Sequence, residues 1–593
     1  MKTAIKERLD ALRAAMRNEG LNAYYITNSD YHGSEYSAAH FCALRYFSGF
    51  TGSFGILVLT LEEAMLYTDG RYLLQAEAEL EGTGISHISM GSREQAVKSF
   101  LLEHLSAGDR LGLDCRTLSC SEYEALFDAL RELGLKLKCS KAAYSAWQAR
   151  PLLKTEHAFL LDKSYSGKPA SEKLFDLRKE MKLLGAKVHV IASLSDIAWL
   201  FNLRGDYTQY SPVLLSYAVI EECAAYLFAD AKALEPSLLY ALKELKVEVL
   251  PYGAIYSFFS SYQKGTRALL SRHSINCELM RAVEKSCEII DAPNPTIYQK
   301  AKKNPIELKN LRKAHINDGI ALTNLIFSLK KELHLFKDEY SVSLRLEQLR
   351  KEQEGFVSPS FATIAAYGEN AAIVHYQPQA EGSKALLGEG FLLLDSGGHY
   401  YLGTTDITRT ISLGALSDEQ RHLYTLVLKG LLRLSFARFP KGTKGYALDA
   451  FARSALWNEG LDYDHGTGHG VGYFLNVHEP PNSISRSHLQ SSAYTGILEP
   501  AMVTSCEPGV YIKGSFGIRL ENLLLCKESA HDGFLEFETL SLAPFDHEAI
   551  DASLLCKDER ALLNSYHRRV YEALAPHLSE ACAAWLLEET KAL

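Results

Sequence analysis

The chain has 593 residues, 47% of them hydrophobic and 23% charged, with a formal net charge of −9. At about 100–200 residues per domain, that length predicts three or four domains rather than one core. No Lys/Arg block stands out, which argues against nucleic acid as a partner, and no apolar run approaches the ~20 residues that span a bilayer.

Residues 1–20 place Leu9, Leu12, Ala15 and Met16 at helical spacing between charges. This predicts an amphipathic helix and lacks the apolar stretch of a signal peptide. Short strands at Ala23–Thr27 and Gly55–Leu59 follow, and the alternation with helices predicts an α/β unit to about residue 149. The patternless stretch 150–168 reads as a linker. Helix 170–184 and strand 189–193 then restart the plan. Asp196–Gly205 parallels Cys42–Gly52, an aromatic-rich run closed by glycine, which suggests a duplication. Asn304-Pro305-Ile306-Glu307 opens a long helix with Leu311, Ala314, Ile316, Ile320, Leu322 and Leu325 at its apolar positions. Strands and hairpins dominate from Ser360, and the tail from Asp558 returns to helix. The domains are therefore expected at 1–155, 156–301 and 302–593. The 11 cysteines include no CxxC pair, and the odd number fits reduced thiols better than a disulfide framework. Cys506 reads as a small strand residue.

The chemistry gathers in the third block. Asp464–Gly472 sets His465 and His469 among four glycines. It fails the GxGxxG phosphate pattern at Val471, and His478-Glu479 fails HExxH at Asn482. Asp395 ends the apolar run Gly390-Phe-Leu-Leu-Leu-Asp395, Ser396-Gly397-Gly398 supplies turn chemistry, and 401–411 reads as a second strand carrying Asp406. A near-symmetric hairpin would set the two acids on adjacent strands, where directly opposed Cβ atoms are roughly 4.5–5.5 Å apart. His399, in that turn, reads as a surface residue. Glu507 and Glu521 are equidistant from Gly514, inside the turn Lys513-Gly514-Ser515. Opposed carboxylates destabilise a sheet, and burial raises their pKa values. A chain that builds this twice calls for cations, and adding one histidine gives a mixed oxygen/nitrogen set suited to Mn²⁺, Co²⁺, Fe²⁺ or Zn²⁺.

LLLDSGG, TTDITRT, GTGHGVG, SCEPGVY and GIRLEN, with Asp395, Asp406, His469, Glu507 and Glu521, resemble the ligand motifs of the pita-bread metallopeptidases. Ser48–Ser53, Thr68–Tyr72, Asp196–Gly205, Ile373–Tyr376 and Phe474–Glu479 extend the likeness over essentially the whole chain. It is most similar to the long, three-domain, cytosolic Xaa-Pro aminopeptidases. The resemblance implies an α/β and α+β multidomain fold, with two related N-terminal α/β domains of creatinase type before a pita-bread catalytic domain. It implies two divalent ions, usually Mn²⁺. Asp395 would bind one metal and His469 with Glu507 the other, while Asp406 and Glu521 bridge.

The implied reaction is hydrolysis of the N-terminal Xaa–Pro bond by a metal-activated water. Glu507 would move the proton, and His375 and His478 would serve the oxyanion and the leaving nitrogen. His465 would line the proline subsite. Tyr511 and Arg519, on the same substrate side, would hold the carboxylates, and Arg71 and Trp199 would shape the substrate end. On sequence alone, His375 also reads as a packed strand histidine, and Arg519 as an ion-pair partner of Glu521. The resemblance further implies peptides with proline second, a homodimer and the cytoplasm, with no nucleic-acid or membrane partner. The rival readings are a prolidase-like dipeptidase, which shares every ligand, and a non-catalytic pita-bread binding protein.

Overall fold

The computed structural model describes residues 2–90, 93–153, 157–486 and 496–593. His488 lies outside them, as does the 154–156 portion of the expected linker. The chain forms two compact units, Met1–Leu161 with Pro169–Thr296, and Asp162–Lys168 with Ile297–Leu593.

The first unit contains two six-stranded sheets of one design. In the first, the strand order is Ser86–Ser89, Ala64–Thr68, Ile56–Thr60, Ala23–Thr27, Arg110–Leu113, Lys136–Cys139. In the second it is Val247–Leu250, Ala225–Phe228, Tyr217–Glu221, Val188–Ile191, Thr266–Leu270, Cys287–Asp291. Both place an antiparallel meander beside parallel strands in the same sequence of pairings. The duplication suggested by the aromatic–glycine runs is thus a duplication of topology. The N-terminal helix spans Lys2–Glu19 and buries Ile5, Leu9, Leu12 and Met16; of the stripe its spacing predicted, Ala15 is only partly buried.

Two features differ from what the sequence predicts. Residues 150–168 are not patternless: Ala158–Leu160 pairs antiparallel with Leu203–Gly205, and Lys163–Ser166 forms a short helix. Nor are all thiols reduced, since Cys115 and Cys139 form a disulfide. The parallel register setting Leu113 beside Cys139 brings Cys115, just past its strand, within a Cα separation of 5.4 Å. The other cysteines are free.

The second unit opens with α1 (Pro305–Lys331), capped by Asn304, whose side chain accepts from the Ile306 and Glu307 N–H groups while Glu307 reaches back. This capping box fixes the helix start read from the sequence. Next come α2 (Glu339–Lys351), β1 (Ile364–Tyr367), β2 (Phe391–Ser396), β3 (Gly398–Tyr400), β4 (Gly403–Thr404) and β5 (Ile407–Ser412). They are followed by α3 (Asp418–Ser435), α4 (Gly445–Trp457), β6 (Gly468–His469), β7 (Ser483–Ile484) and β8 (Val503–Cys506). The unit closes with β9 (Gly509–Ile512), β10 (Phe516–Arg519), β11 (Asn522–Glu528), β12 (Phe534–Thr539), α5 (Lys557–Leu574) and α6 (Glu580–Glu589). One continuous core joins Leu322 and Leu325 of α1, Leu394 of β2, Val427 and Leu431 of α3, Leu456 of α4, Leu524 of β11 and Leu563 of α5. Among the described residues no helix is long and apolar enough to cross a membrane.

Candidate metal centre

The two acidic hairpins are built differently. Around Gly514, whose φ of +74° suits a glycine turn, the ladder pairs Gly509 with Arg519 on one side and Cys506 with Asn522 on the other. The register is unbroken between them, so Glu507 stands opposite Glu521 as the equal spacing predicted. At these two acids the ladder opens. The Glu507 N–H donates to Thr467 O at 2.8 Å, and the Glu521 N–H to Thr408 O at 3.0 Å. The opening draws in the histidine segment on one side and the other acidic strand on the other.

The Asp395–Asp406 element is not a simple hairpin. β2 pairs with β5 so that Asp395 faces Thr408, two residues beyond Asp406. Between them β3 and β4 fold back as a separate hairpin in another sheet. An offset of two preserves the face of an alternating strand, so both acids still reach one site. The turn lies at Tyr401–Leu402 rather than Ser396–Gly398. His399 is therefore no surface residue: it is fully buried, with Nδ1 3.1 Å from Thr404 Oγ1.

Ligand atoms of Asp406, His469 and Glu521 all lie within 4.8 Å of one another. His469 Nε2 is 3.4 Å from Asp406 Oδ2 and 3.6 Å from Glu507 Oε1. Asp395 joins through Arg519, whose Nη2 donates to Oδ2 at 2.6 Å. Burial raises the carboxyl pKa of Asp395 against the pull of Arg519, and that of Glu507 against the pull of His469. Glu521 is pushed well up by burial and by the charges of Asp406, Glu507 and Asp395. Burial pulls His469 down, but its hydrogen bond to Asp406 and the charge of Glu507 win and lift it to about 9.

Two buried carboxylate oxygens, Asp395 Oδ1 and Glu521 Oε1, have no hydrogen-bond partner. Such groups are costly to leave unmade. A set of mutually repelling carboxylates, one imidazole and two orphaned oxygens is the donor set a pair of hard divalent cations would satisfy.

Around this set, Arg519 is 1% exposed and pairs with Asp395, not with Glu521 as the strand alternation suggested. Its Nη1 donates to the Tyr511 hydroxyl at 2.8 Å, which in turn lies 2.8 Å from His465 Nε2. The His478 ring meets the His469 ring edge-on, with centroids 4.3 Å apart. His375 sits half-buried in a turn after the 3₁₀ segment Gly368–Ala372, not in a strand. Arg71 and Trp199 belong to the first unit. Arg71 forks onto Asp69 and lines a cavity of about 320 Å³ with Ser29, Ser34 and Ser53, while Trp199 is buried under Lys173 Nζ at 4.2 Å.

Two groups were missed from the sequence. In α4, Asp449 and Arg453 form a buried i,i+4 pair. Arg453 donates to Tyr463 O and His465 O, and Asp449 accepts from Thr467 Oγ1, so the pair cradles the histidine loop. A charged pair on an otherwise apolar helix face was the available signal. Buried Lys300 and Lys303 both pair with buried Glu479, next to His478, at 3.1 and 2.6 Å. Their spacing in sequence gave no signal.

Residues 309–528 match the metallopeptidase family M24, and 533–593 its C-terminal region. Residues 8–141 and 149–307 each match the creatinase/prolidase N-terminal domain. Fold and site together define a metallopeptidase, a hydrolase. Xaa-Pro aminopeptidase 1 of Dictyostelium discoideum is 34% identical over 100% of this chain and 97% of its own. The probable Xaa-Pro aminopeptidase P of Sordaria macrospora is 37% identical over 98% of each. The crystal structure of X-prolyl aminopeptidase from Caenorhabditis elegans, described as a cytosolic enzyme with a di-nuclear active site, superposes with a TM-score of 0.94 at 32% identity, covering 100% of both chains. The chain belongs to the M24 metallopeptidases, in their Xaa-Pro aminopeptidase branch.

Proposed function

We propose that this protein removes the first residue from peptides with proline second, hydrolysing the Xaa–Pro bond with two divalent ions, Mn²⁺ in the first instance. The observation that carries this reading is the cluster of Asp406, His469 and Glu521 within 4.8 Å, flanked by the orphaned oxygens of Asp395 and Glu521. Asp395 would hold one ion, His469 and Glu507 the other, and Asp406 and Glu521 both. When bound, such ions acidify water and polarise a carbonyl.

The chain's own groups do the rest. Glu507 takes a proton from the attacking water and returns it toward the proline nitrogen. That tertiary amide nitrogen must be protonated before it leaves. His375 and His478 donate to the developing oxyanion and to the leaving group. His465, held by Tyr511, lines the proline subsite, and Arg519 fixes Tyr511 and Asp395 together. Arg71 and Trp199 serve the substrate end. We also propose division into domains at 155/156 and 301/302, a homodimer, and a cytoplasmic setting like that of the nematode relative.

The test is turnover of Xaa-Pro-Pro peptides and of Gly-Pro after loading with Mn²⁺, Co²⁺ or Zn²⁺. Cleavage of the tripeptides, with kcat lowered about 10²–10⁴-fold in Glu507→Gln, is expected. Cleavage of the dipeptide alone would make the protein a dipeptidase instead. Failure to retain metal would point to a non-catalytic role.

A further inference from the structure

The segment 368–384, which carries His375, has almost no regular structure after its opening 3₁₀ turn. A loop without a ladder needs other anchors to hold a side chain in one place. Here one buried carboxylate supplies them. Glu339, the first residue of α2, is 0% exposed. It accepts from the Tyr367 N–H at 2.7 Å, the Asn370 amide at 2.9 and 3.2 Å, the Tyr376 hydroxyl at 2.7 Å and the Lys384 N–H at 2.8 Å. Every donor belongs to the last residue of β1 or to the loop that follows it. The backbone returns the contact, since the Glu339 N–H donates to Lys384 O at 3.1 Å.

Among the described residues no lysine or arginine forms an ion pair with Glu339. Its charge rests on these hydrogen bonds and on the positive N-terminal end of α2. The other side of the loop is gripped as well. Arg519 Nη2 reaches Val374 O at 3.3 Å. The loop also packs so closely on β10 that a Cβ on Gly517 would lie 1.9 Å from Ala371 O. His375 is thus bracketed by Val374 on Arg519 and Tyr376 on Glu339, and Arg519 is the same residue that holds Asp395.

We infer that Glu339, acting through Tyr376, is a positioning residue that sets His375 against the metal centre. The inference rests on the role proposed above for His375. Glu339 touches no reacting atom; it fixes where the histidine's donor sits when charge develops. Loss of this brace affects the chemical step more than ground-state binding, because the histidine's hydrogen bond is made fully only in the transition state.

The experiment is a double-mutant cycle on the full-length, metal-loaded protein with Ala-Pro-Pro as substrate. Tyr376→Phe removes one hydroxyl from a half-buried ring, and Glu339→Gln keeps the shape of the acid with one acceptor fewer. Each is expected to lower kcat about tenfold with KM changed less than about twofold. On a His375→Ala background neither is expected to lower kcat further, a non-additivity that a general packing defect would not produce. Glu339→Ala should fall further than Glu339→Gln. If Glu339→Gln does not fold, Tyr376→Phe carries the cycle alone. The inference is overturned if Tyr376→Phe leaves kcat unchanged, or lowers it equally with and without His375. If His375→Ala itself leaves kcat unchanged, the role of His375 falls and the inference with it. If His375→Ala lowers kcat and the brace variants do not, the inference falls alone.

Discussion

Arg519 and Asp395 form a buried ion pair, Nη2 to Oδ2 at 2.6 Å, with exposures of 1% and 8%. Arg519 also ties this acidic cluster to Tyr511 and Val374. Removing one partner of a buried pair leaves a charge without compensation, at a cost of about 3–5 kcal/mol. Arg519→Met should therefore destabilise the metal-stripped protein by about that amount. Urea unfolding measures it, and a loss under about 1 kcal/mol would mean that Asp395 is compensated elsewhere.

Metal loading should release protons. Asp395, Glu507 and Glu521 are raised by burial, and His469 is lifted to about 9. Near neutral pH His469 of the stripped site therefore holds a proton that ligation must displace. Calorimetric titration of Mn²⁺ in buffers of different ionisation enthalpy should show net proton release. Heats that do not depend on the buffer would contradict the protonated ground state.

Gly470 lies where a Cβ would stand 2.1 Å from Glu479 O. The Glu479 N–H also donates to Gly470 O at 2.7 Å, so this close pairing ties His469 to His478. Gly470→Ala should push the two segments apart and lower kcat by more than about tenfold, since small misplacement of catalytic groups is costly. Steady-state kinetics beside circular dichroism would check it, and wild-type kcat in a folded variant would refute it.

His567 is buried in α5, and burial with the nearby charges of His547 and Arg409 lowers it from 6.5 to about 3. The folded chain holds it neutral, whereas the unfolded chain binds its proton below about 6.5. Its contribution to stability is complete above that pH and is lost as pH falls toward 3, by about 1.4 kcal/mol per unit. In metal-stripped protein, His567→Gln should flatten the stability profile between pH 6 and 4 by about that slope. Parallel profiles from urea unfolding would show that His567 does not titrate this way.

By itself the sequence determined most of the element types, residues 150–168 and the turn at His375 excepted, and the spacing of the four acids. Helical spacing, the Asn304–Glu307 capping box and the symmetric spacing of Glu507 and Glu521 about Gly514 are local signals. A register fixed by a short turn needs no distant information. The tertiary structure decided what depends on packing between segments far apart in sequence. It offset Asp395 from Asp406 by inserting a hairpin, buried His399, and joined Cys115 to Cys139 through a parallel register. It also assigned Arg519 to Asp395 rather than to its strand neighbour Glu521. Glu339, Lys300 and Lys303 were illegible for the same reason. Each is a single charge in an ordinary sequence context, and its meaning comes from the buried hydrogen-bonding groups that long-range folding brings to it.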